Sequence, residues 1–265
     1  MGESAHRPME KRRIAVIGAG NVAWHLAPAL SETHIVTQVM SRSRTNAEAL
    51  ASRISGCEAI TSLSQLQDND IYLISAKDDA IGEIVNAVAE NHCAGLWIHT
   101  SGSVDKEVFS GKISRYGVFY PLQTFSKASA LNMREVPIFI EGGNEATTEE
   151  IRRLAQDISD CVYYADSNIR RQMHIAAVFA CNYTNYLYTL ADEVLAESDI
   201  PFSVLRPLLD ETLRKAVANG PAKSQTGPAS RGDKGIIETH LSMLSDDKKE
   251  VYQLLSEKIF NRYNL

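Results

Sequence analysis

The amino-acid sequence predicts an α/β fold, a doubly wound parallel sheet followed by an all-helical C-terminal domain. Three observations carry that reading. Short runs of β-branched and aromatic residues alternate with helical stretches of about ten to fifteen residues as far as Tyr164, the pattern of βαβ units and a parallel sheet. The first run ends on a glycine-rich turn that opens a helix. Beyond Asp166 the alternation stops, and the stretch from Asn168 to Glu197 contains neither Gly nor Pro.

Each element follows from its local pattern. Ile14-Ala15-Val16-Ile17 reads as a buried parallel strand because no polar residue interrupts it. Asn21 to Ser31 is helical, Ile35 to Met40 is the second strand, and a helix follows through about Arg53. Ile71 to Ile74 is a third strand, and Asp78-Asp79 suit the first turn of the next helix, where unpaired N–H groups favour negative charge. Leu96 to Ile98, Val118-Phe119 and Ile138 to Ile140 are further strands; a helix from Ala146 to Ile158 and a weak strand at Val162 to Tyr164 close this half.

A single helix of about 30 residues, about 45 Å long, is then expected from Asn168 to Glu197. Apolar residues lie on every side of its wheel, so it belongs at the buried centre of a second domain, against a partner subunit. Helices are also predicted from Phe202 to Asn219 and from about Lys234 to the end, with a long Gly- and Pro-punctuated loop at 220–235 between them. The expected organisation is a disordered tail at 1–11, a sheet domain at 12–165 and a helical domain at 166–265.

Composition excludes several classes. Of 265 residues 44% are hydrophobic and 23% charged, close to an average soluble protein, so neither disorder nor a fibre is indicated. A formal net charge of −6 argues against sequence-independent nucleic-acid binding, which needs a basic face. Cys57, Cys93, Cys161 and Cys181 are scattered, with no Cys-x-x-Cys pair and no Cys/His metal spacing, which points to free thiols in a reducing compartment and to no metal. The apolar run after Lys11-Arg12-Arg13 is too short for a signal peptide, and no segment reaches the about 18 apolar residues of a membrane span. A cytoplasmic protein without nucleic-acid or membrane partners is expected.

Gly18-Ala19-Gly20-Asn21-Val22-Ala23 is a G-x-G-x-x-A turn directly after a strand and at the start of a helix, the fingerprint of a Rossmann dinucleotide-binding domain. Gly18 permits the tight turn, Gly20 lets backbone approach a pyrophosphate, and Ala23 lets the helix pack close to the sheet. The helix N-terminus then offers unpaired N–H groups to phosphate. Ala76, just beyond the third strand, joins Gly18, Ala19, Gly20, Asn21 and Val22 as a cofactor-binding position. An NAD site usually carries an acid at the end of the second strand, about twenty residues past the glycines. From Thr33 to Ala47 there is none; Ser41-Arg42-Ser43-Arg44 stands there instead, two guanidiniums and two hydroxyls suited to a 2′-phosphate. The expected cofactor is NADP(H).

From Gly18 through His240 the chain resembles an uncharacterised family of Rossmann-like NADP oxidoreductases related to deazaflavin-dependent NADP reductases, pyrroline-5-carboxylate reductases and β-hydroxyacid dehydrogenases. The resemblance rests on the G-A-G-N-V turn, His99-Thr100-Ser101-Gly102-Ser103, Tyr120-Pro121-Leu122-Gln123-Thr124-Phe125, and Gly227-Pro228 followed by Arg231-Gly232-Asp233. It implies an NADP-linked reductase fold with a helical dimerisation domain, and no substrate. The chain departs from two relatives: Tyr120 stands where prephenate dehydrogenases have His, and the Lys-x-x-x-Asn pair of β-hydroxyacid dehydrogenases is missing.

Hydride transfer to a carbonyl or imine needs a proton donor and a group to polarise the acceptor. His99 and Ser101 follow a strand at its carboxyl end, where a doubly wound sheet binds ligands. The same segment also reads as a helix-capping turn with Ser103 as N-cap. On the long helix His174, Cys181 and Asn185 fall near one line at about 100° per residue, with Asn182 about 80° away. Buried polar groups need partners, so these side chains either bond one another or serve the site; the resemblance favours His174 as general acid and Asn182 as an orienting amide. Tyr120 and Gln123 are candidate substrate contacts. In the 220–235 loop Arg231 is a candidate clamp for a substrate anion and Asp233 for the cap of the next helix. The expected function is an NADP(H)-dependent oxidoreductase moving hydride to or from a small anionic carbonyl, imine or hydroxy acid. The alternatives are a non-catalytic NADP(H) redox sensor and a prephenate-type dehydrogenase.

Overall fold

A computed structural model of the protein describes residues 11–89 and 94–264. Cys93 and the tail expected at 1–11, Lys11 apart, lie outside the described residues. The chain divides into two compact units, Met1–Val178 and Phe179–Leu265. The first therefore keeps the start of the long helix, beyond Asp166 where strand–helix alternation ends in the sequence.

The first unit is one eight-stranded sheet flanked by helices. Its elements are β1 (Arg13–Ile17), α1 (Asn21–Ser31), β2 (Ile35–Met40), α2 (Arg44–Ala51), β3 (Glu58–Ile60), β4 (Ile71–Ile74), α3 (Asp78–Val88), β5 (Leu96–His99), β6 (Tyr116–Pro121), β7 (Ile138–Gly142), α4 (Glu145–Gln156), β8 (Val162–Tyr164) and α5 (Ser167–Ala177). The strand order is β3-β2-β1-β4-β5-β6-β7-β8. The order reverses direction between β1 and β4, so a crevice opens there at the carboxyl ends of the strands.

Alternation along the buried strands assigns side chains to two cores. Ile14 and Val16 of β1 pack with Ala23, Leu26 and Leu30 of α1, Leu50 of α2 and Leu154 of α4. Ala15 and Ile17 face the other way, to Ile81 and Val85 of α3 and to Trp97 and Phe109. Ala23, Leu26, Ala27 and Leu30 are the apolar stripe of α1 at helical spacing, and burying each leucine contributes about 2 kcal/mol. Tyr72 stacks on Trp97 of the neighbouring strand at 4.1 Å between centroids.

Two features of the sheet differ from the sequence reading. β6 and β7 pair antiparallel, Phe119 opposite Ile140. The chain between them forms one 3₁₀ turn, Met133–Glu135, and no α-helix to carry it across a face, so it returns along its neighbour. β3 is an edge strand of three residues, beginning with an exposed glutamate and too short for a periodic signal.

The second unit is helical: α6 (Thr184–Ala196), α7 (Arg206–Asn219), α8 (Pro221–Ser224), α9 (Pro228–Arg231), α10 (Lys234–Met243) and α11 (Asp246–Tyr263). It corrects the sequence reading in three ways. The long helix is not a uniform α-helix, because Val178–Tyr183 forms a π-helical turn between α5 and α6. The Thr184 hydroxyl donates to the Phe179 carbonyl within it (3.1 Å). Nor is this helix buried within one chain: Phe179, Tyr183 and Tyr186 are 63%, 55% and 54% exposed. Apolar residues on all sides demand more neighbours than these few helices supply. Finally, 220–235 is not one open loop, since α8 and α9 each start on a proline whose fixed φ suits a first helical position.

Candidate active site

A cleft of about 840 Å³ runs along the carboxyl edge of the sheet, from the glycine turn to His174. Its first end is built by the β1–α1 turn. Gly18 has φ +117°, and its N–H donates to the Met40 carbonyl (2.8 Å). A Cβ there would run into the Ser75 carbonyl, so only glycine fits. At Gly20 an added Cβ would meet no protein atom, which leaves its outer face to a ligand. Gly20 is also the N-cap of α1, with no side-chain cap and no acid in the first turn. The opening N–H groups of α1 therefore have no protein cap, an anion site by construction.

Gly18, Ala19, Gly20, Asn21, Val22, Ser41, Arg42, Ser43 and Ala76 all line the cleft. Arg44 does not. It opens α2 and turns to Glu48 one turn on (3.3 Å), because residues four apart share a helix face. The Ser43 oxygen caps α2 by accepting from Asn46 N–H (3.3 Å), and the Ser41 oxygen accepts from Ser43 N–H (3.2 Å). Both hydroxyl protons stay available to a ligand oxygen. Asn46, Lys77 and Asp78, the last expected only to open a helix, are further lining residues.

The other end brings together β5, β6 and α5. Tyr120 at the end of β6 is buried, and its Oη lies 3.1 Å from His174 Nδ1, with the rings edge to face. Burial raises the phenol above its ordinary range, opposed by the Arg170 cation and reinforced by Asp78. The pair closes over Gly102: a Cβ there would stand 2.8 Å from both His174 Nδ1 and Tyr120 Cζ. Gly102 is thus required by the contact, and only the fold shows it, since Tyr120 and His174 are 54 residues apart in the chain. Ser101, Gln123 and Phe125 also line this end.

His99 is displaced from the expected role. Its ring is fully buried, 5.7 Å from Phe109, and Nδ1 accepts the Ser101 N–H (3.2 Å), which leaves the proton on Nε2. Burial first, then the Arg170 cation, push its pKa down to about 3, against the Asp105 backbone and carboxylate. The cleft is lined by the next residues, Thr100 and Ser101, not by this imidazole. The capping residue of the turn is Ser101, whose Oγ accepts from Ser103 and Val104 N–H (both 3.0 Å), rather than Ser103.

Asn182 and Arg231 belong to the second unit. Asn182 lies in the π turn, whose i→i+5 bonding breaks the 100° wheel on which it stood about 80° from His174. Arg231 pairs with Asp233 (2.9 Å), which occupies both the proposed anion clamp and the proposed cap; Asp233 sits at the N-cap of α10 without a side-chain cap bond. Among the described residues no cluster of His, Cys, Asp or Glu could hold a metal, and no helix is long and apolar enough to cross a membrane.

Comparison with known proteins bears on this site directly. Residues 13–98 match the family model described as NADP oxidoreductase, coenzyme F420-dependent, and residues 136–259 match a domain of unknown function, DUF2520. The Bacteroides fragilis protein BF3122, named as a candidate NADP oxidoreductase, is 40% identical over 95% of this chain and 98% of its own, with a TM-score of 0.89. The chain belongs to this NADP oxidoreductase family. An imine reductase of Streptomyces aurantiacus shares the fold at 16% identity and a TM-score of 0.66, over 94% of this chain and 93% of its own. A 1-pyrroline-5-carboxylate reductase of Streptococcus pyogenes does so at 12% and 0.60, over 95% and 99%. No curated protein matches the chain.

The protein is thus an NADP-dependent oxidoreductase with a Rossmann domain, and its residues fit the cofactor. The α1 N-terminus is uncapped, the close approach at Gly20 is open, and an arginine stands in the cleft where an NAD site has its acid.

Proposed function

We propose that this oxidoreductase reduces a small imine or carbonyl compound with NADPH, or runs the reverse oxidation of an amine or hydroxy acid, with Tyr120 and His174 handling the proton. The observation that supports this is the 3.1 Å Tyr120–His174 hydrogen bond in the wall of a cleft that begins at the glycine turn. In this reading the N–H groups of Gly20, Asn21 and Val22 hold the pyrophosphate, and Ala76 packs beside the cofactor. Arg42, with the Ser41 and Ser43 hydroxyls, holds the 2′-phosphate. NADPH supplies the hydride.

The chain's own residues do the rest. Tyr120 Oη donates its proton to the nitrogen or oxygen of the acceptor, and His174 Nδ1–H hydrogen-bonds the phenolic oxygen and restores that proton. A neutral phenol is the form that can donate, and burial favours it. Ser101 and Gln123 orient the acceptor, while Gly102 keeps the pair in contact. His99 stays neutral behind the turn and supports its backbone. A redox sensor without turnover would have no use for a phenol–imidazole pair, so catalysis is the better reading of this cleft. Because fold neighbours are named imine reductase and 1-pyrroline-5-carboxylate reductase, imines are tested beside carbonyls as acceptors.

NADPH oxidation should be followed at neutral pH with 1-pyrroline as the imine probe and pyruvate as the carbonyl probe. Wild type should turn over at least one of them. Tyr120→Phe and His174→Gln should each lose about a hundredfold or more in kcat, the usual worth of a general acid, with NADPH affinity retained. Full activity in both variants would remove the pair from the reaction.

We also propose that the helical unit forms a homodimer. Among its described residues Ala229 alone is buried. An apolar cavity of about 470 Å³ lies among its helices, lined by Leu187, Val194, Met243 and Leu255. The large apolar side chains that this unit leaves exposed, among them Phe179, Leu213 and Val217, call for a protein partner.

A further inference from the structure

Beneath the Tyr120–His174 pair lies a buried ion cluster that the reaction as described does not use. Arg170 and Glu141 are both fully or almost fully buried, and Arg170 Nη1 donates to Glu141 Oε2 (2.8 Å). Lys106 Nζ binds the other carboxylate oxygen (2.8 Å), and the Ser167 hydroxyl donates to Oε2 (2.9 Å). Arg170 Nη2 donates to the Val104 carbonyl (2.7 Å) and to Ser167 Oγ (3.1 Å).

Desolvating a cation and a carboxylate is costly, and a pair of well-packed apolar side chains would fill the same space at no electrostatic penalty. The fork of Arg170 does something that such side chains do not. One arm ends on β7 through Glu141, and the other on the turn that Ser101 Oγ closes by accepting from Ser103 and Val104 N–H. Gly102 stands in that turn, against both Tyr120 and His174. One helical turn along α5 from Arg170 is His174 itself.

We propose that Arg170 is a positioning residue for the Tyr120–His174 pair: clamped by Glu141, its guanidinium holds the Gly102 turn and the His174 turn of α5 in one register. The guanidinium is planar and preorganised, so it can bridge a carboxylate and a carbonyl at fixed spacing, which a lysine ammonium at the same site cannot. The inference rests on the reading that this pair delivers the proton. The charged groups that act on Tyr120 are Arg170 from α5 and Asp78 from α3, with Glu141 and Lys106 compensating Arg170 from β7 and from the start of the 3₁₀ turn Lys106–Phe109.

The test is made on the full chain, with the Arg170→Lys and Arg170→Met variants. Lys106 still pairs with Glu141 in both, so the buried carboxylate keeps a partner. Two quantities are read: the ¹⁵N–¹H spectrum of histidine-labelled protein, with the His174 signal assigned by its loss in His174→Gln, and steady-state reduction of the 1-pyrroline probe. In Arg170→Met the His174 Nδ1 resonance should move to the position of a free imidazole while those of His25, His34 and His240 stay. In the same variant kcat should fall by about tenfold or more, as expected when a reacting group is misplaced, with the NADPH dissociation constant unchanged within about twofold. Arg170→Lys should show the same His174 shift with a smaller loss, and it decides the matter if Arg170→Met does not fold. An unmoved His174 signal in a folded variant overturns the inference. The two readings fail separately: if Tyr120→Phe keeps full activity the proton-delivery reading falls, while the spectrum still judges whether Arg170 positions the pair.

Discussion

The two histidines that the sequence puts forward for chemistry meet different fates, and burial decides between them. His174 lines the cleft and meets a phenol; His99 is sealed behind the sheet, where a charged imidazole has no solvent. In the folded state the His99 pKa is about 3, below its ordinary 6.5, so the unfolded chain takes up the extra proton between those values. Its contribution to stability is therefore whole above pH 6.5 and lost as the pH falls toward 3, by about 1.4 kcal/mol per pH unit for one proton. His99→Asn keeps an acceptor for the Ser101 N–H without the titration. Denaturant unfolding between pH 6 and pH 4 should show a shallower loss of stability in this variant than in wild type; parallel curves would mean that His99 does not titrate on unfolding. No sequence pattern separates the two histidines, because exposure is a property of the assembled sheet.

Elements defined by contiguous residues were the legible ones. The strands β1, β4 and β5 are runs of three or four apolar residues, and the β1–α1 turn is a local motif, so both strands and cofactor turn could be read directly. The direction of β7 depends on what connects it to β6, and the π turn depends on tertiary fit; neither leaves a periodic trace. Tyr120 and His174 could each be nominated alone, Tyr120 by its turn and His174 by its helix, but not as partners. The β2–α2 junction shows how finely element boundaries matter. Arg42 stands in the turn and lines the cleft, whereas Arg44, two residues on, is already helical and 74% exposed beside Glu48. Arg42→Ala should weaken NADPH binding by about 1.5–3 kcal/mol, the worth of a charge-assisted hydrogen bond, and leave NADH binding alone. Arg44→Ala should change neither. Calorimetric titration with the two nucleotides checks this, and equal losses for NADPH and NADH would contradict the 2′-phosphate assignment to Arg42.

At the scale of the whole molecule, the two units differ in how they are held together. The sheet unit has a complete core on both faces, while the helical unit leaves Leu208, Leu213 and Val217 of α7 more than half exposed. The proposed homodimer would cover them: light scattering at micromolar concentration should give about twice the mass of one chain, with thermal stability rising as protein concentration rises. A monomer would contradict it. The central claim, that an NADPH cleft ends at a Tyr120–His174 proton donor, is tested most directly by a crystal structure of the protein soaked with NADP⁺. The 2′-phosphate should lie on Arg42 and the nicotinamide should face Tyr120, its C4 about 5–7 Å from Oη, the span of one acceptor between hydride and proton. A nicotinamide seated away from Tyr120, with the pair facing no part of the cofactor, would contradict it.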